Sequence, residues 1–138
     1  MNRESFQKIA RLRVLEARKL MEEGYYCGAY YLIGYSVECA LKACIAKQVR
    51  RYDFPDKKNA VDSFTHDIEK LFRLSGLFTD FEKDKKTGRE LEVNWTIVKD
   101  WNETFRYNDS VTKIQATDLF NACTGRKNGI LTWIKKRW

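Results

Sequence analysis

The sequence predicts an all-α protein, an up-and-down bundle of four to five helices, and three observations predict it. Apolar residues recur at three- and four-residue spacing along most of the chain, which is the period of a helix face. Short polar turns separate these stretches, and no convincing alternating strand pattern interrupts them. The only proline, Pro55, lies in a polar segment. With 138 residues, the chain has the size of one helical domain, 1–138, and needs no metal or disulfide to hold a core.

A long apolar stretch, residues 28–47, predicts the central helix of this bundle. Its only charged residues are Glu38, Lys42 and Lys47, so in water most of its sides must be covered. Glu38 and Lys42 lie four apart with the glutamate first, which favours an ion pair across one turn. The stretch is about long enough to cross a bilayer, but its tyrosines and its charged pair favour a protein core and no membrane.

A first helix is predicted before the central one, beginning at Asn2 or Ser5 and ending at Gly24. The short connection that follows predicts an antiparallel hairpin with the central helix. The predicted apolar face of the first helix holds Phe6, Ile9, Leu12, Leu15 or Glu16, Leu20 and Met21.

Shorter helices are predicted after the central helix. The central helix is expected to end near residues 50–51, and a polar loop, 53–59, follows it. Thr65 can cap a short helix that ends before Gly76. A highly charged segment, 77–88, is expected to form a second short helix, anchored by Phe78 and Phe81.

Two further helices complete the predicted bundle. The first is indicated by the spacing of Leu91, Trp95, Val98, Trp101 and Phe105. A polar turn, 106–110, ends it, and Ser110 or Thr112 can cap a last helix running from Ile114 to Ile134. Gly125 and Gly129 lie inside this last helix, where they either permit a close helix contact or mark a local break.

The composition limits the function classes. Lys and Arg total 26 against 19 Asp and Glu, which gives a net charge of +7. This charge suits RNA, DNA or an acidic protein as a partner. The basic residues are scattered, however, and such residues are also usual on a solvated surface. Four cysteines without a Cys-x-x-Cys pair favour buried free thiols in a reducing cytoplasm and no metal site. The charged N-terminal residues do not resemble a signal peptide, so we expect a cytoplasmic protein.

The candidates for proton transfer are few. His66 is the only histidine and is expected in the first turn of a short helix, either as a catalytic or phosphate-binding group or, as we favour, as a neutral structural residue. Glu38 and Lys42 could exchange a proton, but a buried structural ion pair is the simpler interpretation. No glycine-rich phosphate loop is present, and one histidine supports no Ser–His–Asp order.

Arg106, Tyr107 and Asn108 form the best candidate for nucleic-acid binding. They lie in a polar turn after an aromatic-rich helix, and Arg with Tyr can contact a phosphate and a base. The alternative is that Arg106 bonds helix-end carbonyls while Tyr107 packs inside. The sequence leaves both alternatives open.

The chain resembles a HEPN domain (higher eukaryotes and prokaryotes nucleotide-binding) over nearly its whole length. The resemblance rests on residues 30–43 with the Glu38-x3-Lys42 core, on 65–71, on Trp101-x4-Arg106-Tyr107 and on 133–136. It implies a helical bundle that forms a homodimer. Many members are metal-independent ribonucleases of toxin–antitoxin, phage-defence or RNA-processing systems, and a partner protein such as a nucleotidyltransferase antitoxin is implied as well.

The ribonuclease motif of this family is incomplete here. It consists of an Arg followed after four to six residues by a His, and Arg106 is the natural match for the Arg. The His would fall at Val111, Thr112 or Lys113, so it is missing. Metal-free RNA cleavage needs a proton-transfer group, for which histidine is the usual choice.

Three hypotheses follow. The first is a non-catalytic, dimeric HEPN-like module, without cofactor, in a prokaryotic defence or toxin–antitoxin setting. It would bind RNA or a partner protein through Arg106, Tyr107 and Asn108 and nearby basic residues. The second is a ribonuclease with a divergent site made of Arg106 and His66. The third, implied only by the family name, is a nucleotide or small-ligand binder. The load of four Trp, seven Tyr and eight Phe is high for this length and leaves aromatic residues for a dimer interface.

Overall fold

The all-α fold class is confirmed by a computed structural model, which describes residues 1–49 and 57–138, with the backbone alone at positions 57 and 59. No strand occurs in this part of the chain. The predicted bundle is divided into more and shorter segments than the sequence indicated. They are α1 Arg3–Glu22, α2 Tyr26–Gln48, α3 Lys57–Asp62, α4 Ile68–Leu74, α5 Phe78–Lys85, α6 Arg89–Lys99, a 3₁₀ helix Glu103–Tyr107, α7 Lys113–Thr124 and α8 Ile130–Lys135.

The hairpin of α1 and α2 is the frame of the molecule. The Asn2 side chain caps α1, and Gly24 ends it with a φ of 82°, a conformation that glycine adopts without steric cost. α2 is buried along most of its length and is contacted by α1, α4, α7, α8 and the 3₁₀ helix. The predicted central helix and hairpin are therefore confirmed. None of the described helices is long and apolar enough to cross a membrane.

The predicted face of α1 is partly wrong. Its buried residues are Ala10, Val14 and Ala17, whereas Leu12 and Leu15 are 46% and 59% exposed. The buried positions recur at four- and three-residue spacing, and their small side chains let α1 approach α2 closely, whereas Leu12 and Leu15 lie outside this stripe.

The segments around α3 and α4 need three corrections. Residues 50–51 and Pro55 lie outside the described residues, but the predicted loop does not extend to 59, because α3 begins at Lys57. Asp67, not Thr65, caps α4, since its side chain accepts a hydrogen bond from the Lys70 N–H. His66 consequently lies before the helix and not in its first turn.

The predicted short helix over 77–88 is confirmed as α5, but only one of its two proposed anchors is buried. Phe81 packs in the core against the rings of Phe72, Trp95 and Trp133. Phe78, in the first turn, is 54% exposed.

Two predicted long helices are each broken into two. α6 ends at Lys99, and Asn102 starts the 3₁₀ helix by accepting a hydrogen bond from the Thr104 N–H. Thr112 caps α7 through a capping box, and Ile114 in the first turn of that helix is 72% exposed. A bend at Gly125 and Gly129 separates α7 from α8. A Cβ at Gly129 would lie 2.5 Å from the Gly125 nitrogen, so the two glycines mark a break.

All four cysteines are free thiols, and Cys39, Cys44 and Cys123 are buried. Burial raises the pKa of Cys39 and of Cys44 to about 11. Among the described residues, no group of three His, Cys, Asp or Glu side chains could hold a metal ion.

The break after α6 depends on a close contact between Trp101 and α2. The indole lies on the backbone of Gly34, where a Cβ would be 2.2 Å from its Nε1 atom. Tyr31 stacks on the same indole with ring centroids 5.8 Å apart, so the ring has little freedom to shift. Trp101 is 1% exposed and directly precedes Asn102, the cap of the 3₁₀ helix, so the contact anchors the chain where that helix starts.

We predict that Gly34→Ala lowers the free energy of unfolding by about 2 kcal/mol, because the new methyl group must displace a packed indole. Urea unfolding followed by circular dichroism would measure the loss.

Gly28→Ala is the matched control for this prediction. A Cβ there would meet only the mobile end of Leu20, at 3.1 Å, and alanine favours the helix. If Gly34→Ala unfolds at the same urea concentration as Gly28→Ala, Trp101 is not held as described.

Candidate functional site

A buried carboxylate on α2 is the centre of the candidate site. Glu38 is 1% exposed. Its Oε1 atom lies 3.1 Å from Lys42 Nζ and 2.8 Å from His66 Nδ1. The first contact is the ion pair across one turn that the sequence suggested. The second joins α2 to the segment before α4, a contact that no local pattern indicated.

His66 connects this buried carboxylate to the surface. The Asp67 cap and the Thr65 hydroxyl, which accepts from the Asp67 N–H, hold the backbone beside it. On its other edge, His66 Nε2 lies 3.3 Å from Oε2 of Glu103 in the 3₁₀ helix. Both ring nitrogens thus face carboxylates, and a neutral imidazole can donate to only one of them. The side chain is 46% exposed, so solvent reaches the ring.

Two buried side-chain atoms in the described part of the chain have no hydrogen-bond partner, Glu38 Oε2 and Trp101 Nε1. Trp101 lies on Gly34, one turn before Glu38 on α2. An acceptor and a donor are therefore unpaired on consecutive turns of the same helix. Unpaired buried polar groups are rare in folded proteins, so this junction is a candidate for a functional site.

The 3₁₀ helix presents Arg106 and Tyr107 to solvent. Tyr107 is 77% exposed, so the alternative in which it packs inside is wrong. The guanidinium carbon of Arg106 lies 4.9 Å from the Tyr107 ring centroid. Tyr107, followed by Tyr31 and Glu103, raises the pKa of Arg106. Asn108 shapes the next turn, since its Oδ1 atom accepts from the Ser110 N–H at 2.9 Å.

Glu103 connects His66 to the part of the 3₁₀ helix that carries Arg106. Side chains three residues apart share one side of a 3₁₀ helix, which places Glu103 and Arg106 on the same side. Glu103 in turn contacts His66. Sequence reasoning missed Glu103 and Tyr31, because neither lies in a motif with a chemical signature.

The three positions at which the family motif would place a histidine after Arg106 hold other residues, which have structural roles. Val111 is buried, and Thr112 is the cap of α7. Lys113 begins that helix. The structure uses two of these positions to start α7.

A surface cleft of about 240 Å³ lies elsewhere in the fold, between α4, α5 and α6. Aromatic rings form part of its wall, and charged residues of both signs surround them. Its lining residues are Glu69, Phe72, Arg73, Phe78, Phe81, Glu82, Lys85 and Trp95.

A family model recognises the sequence of this helical domain. The model of the HEPN domain matches residues 4–137. The chain therefore belongs to the HEPN domain family, as the sequence resemblance predicted. Comparisons with curated proteins and with solved structures found no match.

The burial of Glu38 predicts a large effect of removing its charge. Glu38→Gln should lower the free energy of unfolding by about 3 kcal/mol, because it leaves Lys42, only 15% exposed, without its anion. Chemical unfolding of the variant measures this loss.

Glu16→Gln is the control, since it removes a carboxylate that pairs with Arg13 at 2.9 Å but is 39% exposed. The double variant Glu38→Gln/Lys42→Met should recover part of the loss. Equal stabilities of Glu38→Gln and Glu16→Gln would contradict the buried pair.

Proposed function

We propose that this protein is an RNA-binding HEPN domain without ribonuclease activity, and that Arg106, Tyr107 and Asn108 contact the RNA. One observation carries the proposal. Arg106 lies over a Tyr107 ring that is 77% exposed, on a helix that ends in solvent. An exposed aromatic ring beside a cation offers a stacking surface for a base and a charge for a phosphate, and this combination supports RNA binding.

The chemistry of this pair fits single-stranded RNA. A guanidinium binds a phosphate through two parallel hydrogen bonds, and a tyrosine ring can stack on a base of any sequence. The net charge of +7 would attract a polyanion over distance. Two hydrogen bonds that Ser110 donates to Asn108 hold the turn in one conformation, so little conformational entropy would be lost on binding.

The absence of catalysis is supported by the surroundings of His66. Positions 111–113 hold no histidine, and both nitrogens of His66 face carboxylates, Glu38 at 2.8 Å and Glu103 at 3.3 Å. A group that moves protons during RNA cleavage must have a nitrogen free for the substrate.

A divergent ribonuclease is the second candidate, and one observation favours it. The buried Glu38 orients His66 from behind, as a carboxylate does in many acid–base pairs, while Glu103 is 41% exposed and can turn away. Arg106 on the same 3₁₀ helix would then hold the phosphate.

The cellular setting is proposed from the family resemblance. We infer a cytoplasmic homodimer in a prokaryotic defence or toxin–antitoxin system. A partner protein, such as a nucleotidyltransferase antitoxin, would bind the same domain.

Incubation of the protein with mixed single-stranded RNA in excess EDTA, read for both retention and cleavage, tests the two candidates. We expect retention without cleavage, and at least a tenfold weaker affinity for Arg106→Ala, since a charged contact and its geometry are lost. The matched control is Arg89→Ala, an exposed arginine in the first turn of α6.

Cleavage that disappears in both Arg106→Ala and His66→Ala would establish the ribonuclease and reject the first proposal. Failure of the parent protein to retain RNA at low salt would reject RNA binding altogether.

Light scattering across a range of protein concentrations tests the dimer. We expect a mass near twice 16.4 kDa at micromolar concentration. A mass of one chain at the highest concentration reached would contradict the homodimer and leave the RNA proposal to stand alone.

A further inference from the structure

A second group of cations lies on elements that take no part in the candidate site. Arg11 on α1 and Lys135 at the end of α8 both lie near the indole of Trp138. The distance to the ring centroid is 4.8 Å from the Arg11 guanidinium carbon and 5.9 Å from Lys135 Nζ. Arg18 lies over the ring of Phe120 at 5.7 Å. We call Arg11, Arg18 and Lys135 the α1–α8 basic patch.

No salt bridge within residues 1–49 and 57–138 pairs this patch with a carboxylate. In the described residues, none of its three members forms a salt bridge, although cations near it do. Arg137, two residues from Lys135, pairs with Asp84 at 2.8 Å, and Arg13 pairs with Glu16 at 2.9 Å. The basic patch is thus a local excess of positive charge, whereas the neighbouring Arg13 and Arg137 are paired with carboxylates.

The titration of Lys135 reflects the same excess. Burial, followed by the positive charges of Arg11 and Arg18, lowers the pKa of Lys135. Like charges that disfavour one another's ionised form are stabilised when an anion is placed between them.

The patch has the form of a row and not of a pocket. Arg11 and Arg18 are exposed and seven residues apart on α1, a rise of about 10 Å. Leu15, 59% exposed, lies between them on the same side of the helix. A row of separated cations fits a ligand that repeats its negative charge along its length. A single phosphate would use only one of them.

We propose that the α1–α8 basic patch binds the phosphodiester backbone of RNA, as a second contact surface built on elements other than the 3₁₀ helix. The proposal rests on the RNA-binding function proposed above. The Trp138 and Phe120 rings hold Arg11 and Arg18 in place, so these guanidinium groups are pre-positioned for phosphates. An acidic segment of a partner protein could bind the same cations, so the test must distinguish it from RNA.

The test is a salt titration of the affinity for a single-stranded RNA, measured by fluorescence anisotropy. Each phosphate contact on a single strand contributes about 0.7 to the slope of log K against log salt concentration. For Arg11→Gln/Arg18→Gln/Lys135→Gln we expect a slope smaller by about 2 and at least tenfold weaker binding.

The matched control is Lys19→Gln/Lys70→Gln/Lys85→Gln. It removes the same number of charges, but from lysines that already pair with Glu22, Asp62 and Glu82. A control that weakens binding as much as the patch variant would mean that only net charge matters and would overturn the proposal.

A parallel Arg106→Gln variant distinguishes the two proposals. Loss in Arg106→Gln but not in the patch variant overturns this inference and leaves the proposed function intact. Loss in the patch variant alone supports the patch and rejects the role of Arg106. A parent protein that binds no RNA rejects both, and binding of the patch to poly-glutamate alone would assign it to an acidic protein.

A measurement on the unaltered protein covers the case in which the triple variant does not fold. Lys135 should become acetylated by a small reagent in the free protein and should be protected at least threefold by RNA. Lys19, 74% exposed and outside the patch, should react equally with and without RNA. Equal reactivity of Lys135 in both states would overturn the proposal.

Discussion

The contact between the Trp101 indole and the bare backbone of Gly34 determines the layout of the candidate site. A Cβ at position 34 would overlap the ring, so the approach is available only to glycine. Because the indole is inserted there, α6 cannot continue, and the chain turns into the 3₁₀ helix that carries Glu103, Arg106 and Tyr107. The placement of these three side chains thus depends on one packing contact with the central helix.

The polar part of the site depends on the same helix, one turn further on. Glu38 is held between Lys42 and His66, and through His66 it is linked to Glu103. A buried ion pair of this kind contributes little net stability, because the cost of removing water offsets the attraction. Its use here is to join two segments that are far apart in sequence and to fix the edge of the surface on which Arg106 lies.

The fold could be predicted because apolar residues at helical spacing indicate the helices directly, and the charged pair of α2 favours a helix in a protein core. The helix breaks could not be predicted in the same way. Trp101 and Phe105 continue the spacing of α6 although the helix has ended, since a residue packed against another element keeps an apolar side chain whatever its backbone does. The identity of the buried residues of α1 was missed for a related reason, because close helix packing selects alanine over leucine.

The site was only half accessible to sequence reasoning. Arg106 and Tyr107 are predicted from the polar turn that follows an aromatic-rich helix, but the sequence leaves their exposure open. The approach of His66 to Glu38 and Glu103 joins three separate segments, and pairings at such distances leave no trace in one sequence. The convergence of Arg11 and Lys135 on Trp138 is of the same kind, with the partners at opposite ends of the chain.

The exposure of Arg106 and Tyr107 means that the residues proposed to bind a ligand differ from those that stabilise the fold. In this segment, Trp101 and Phe105 pack in or against the core, and the two residues that follow them are exposed. Their replacement would therefore cost the fold almost nothing. A domain organised in this way can acquire new ligands by drift in a short surface segment, while the helix that supports the segment stays under strict steric constraint.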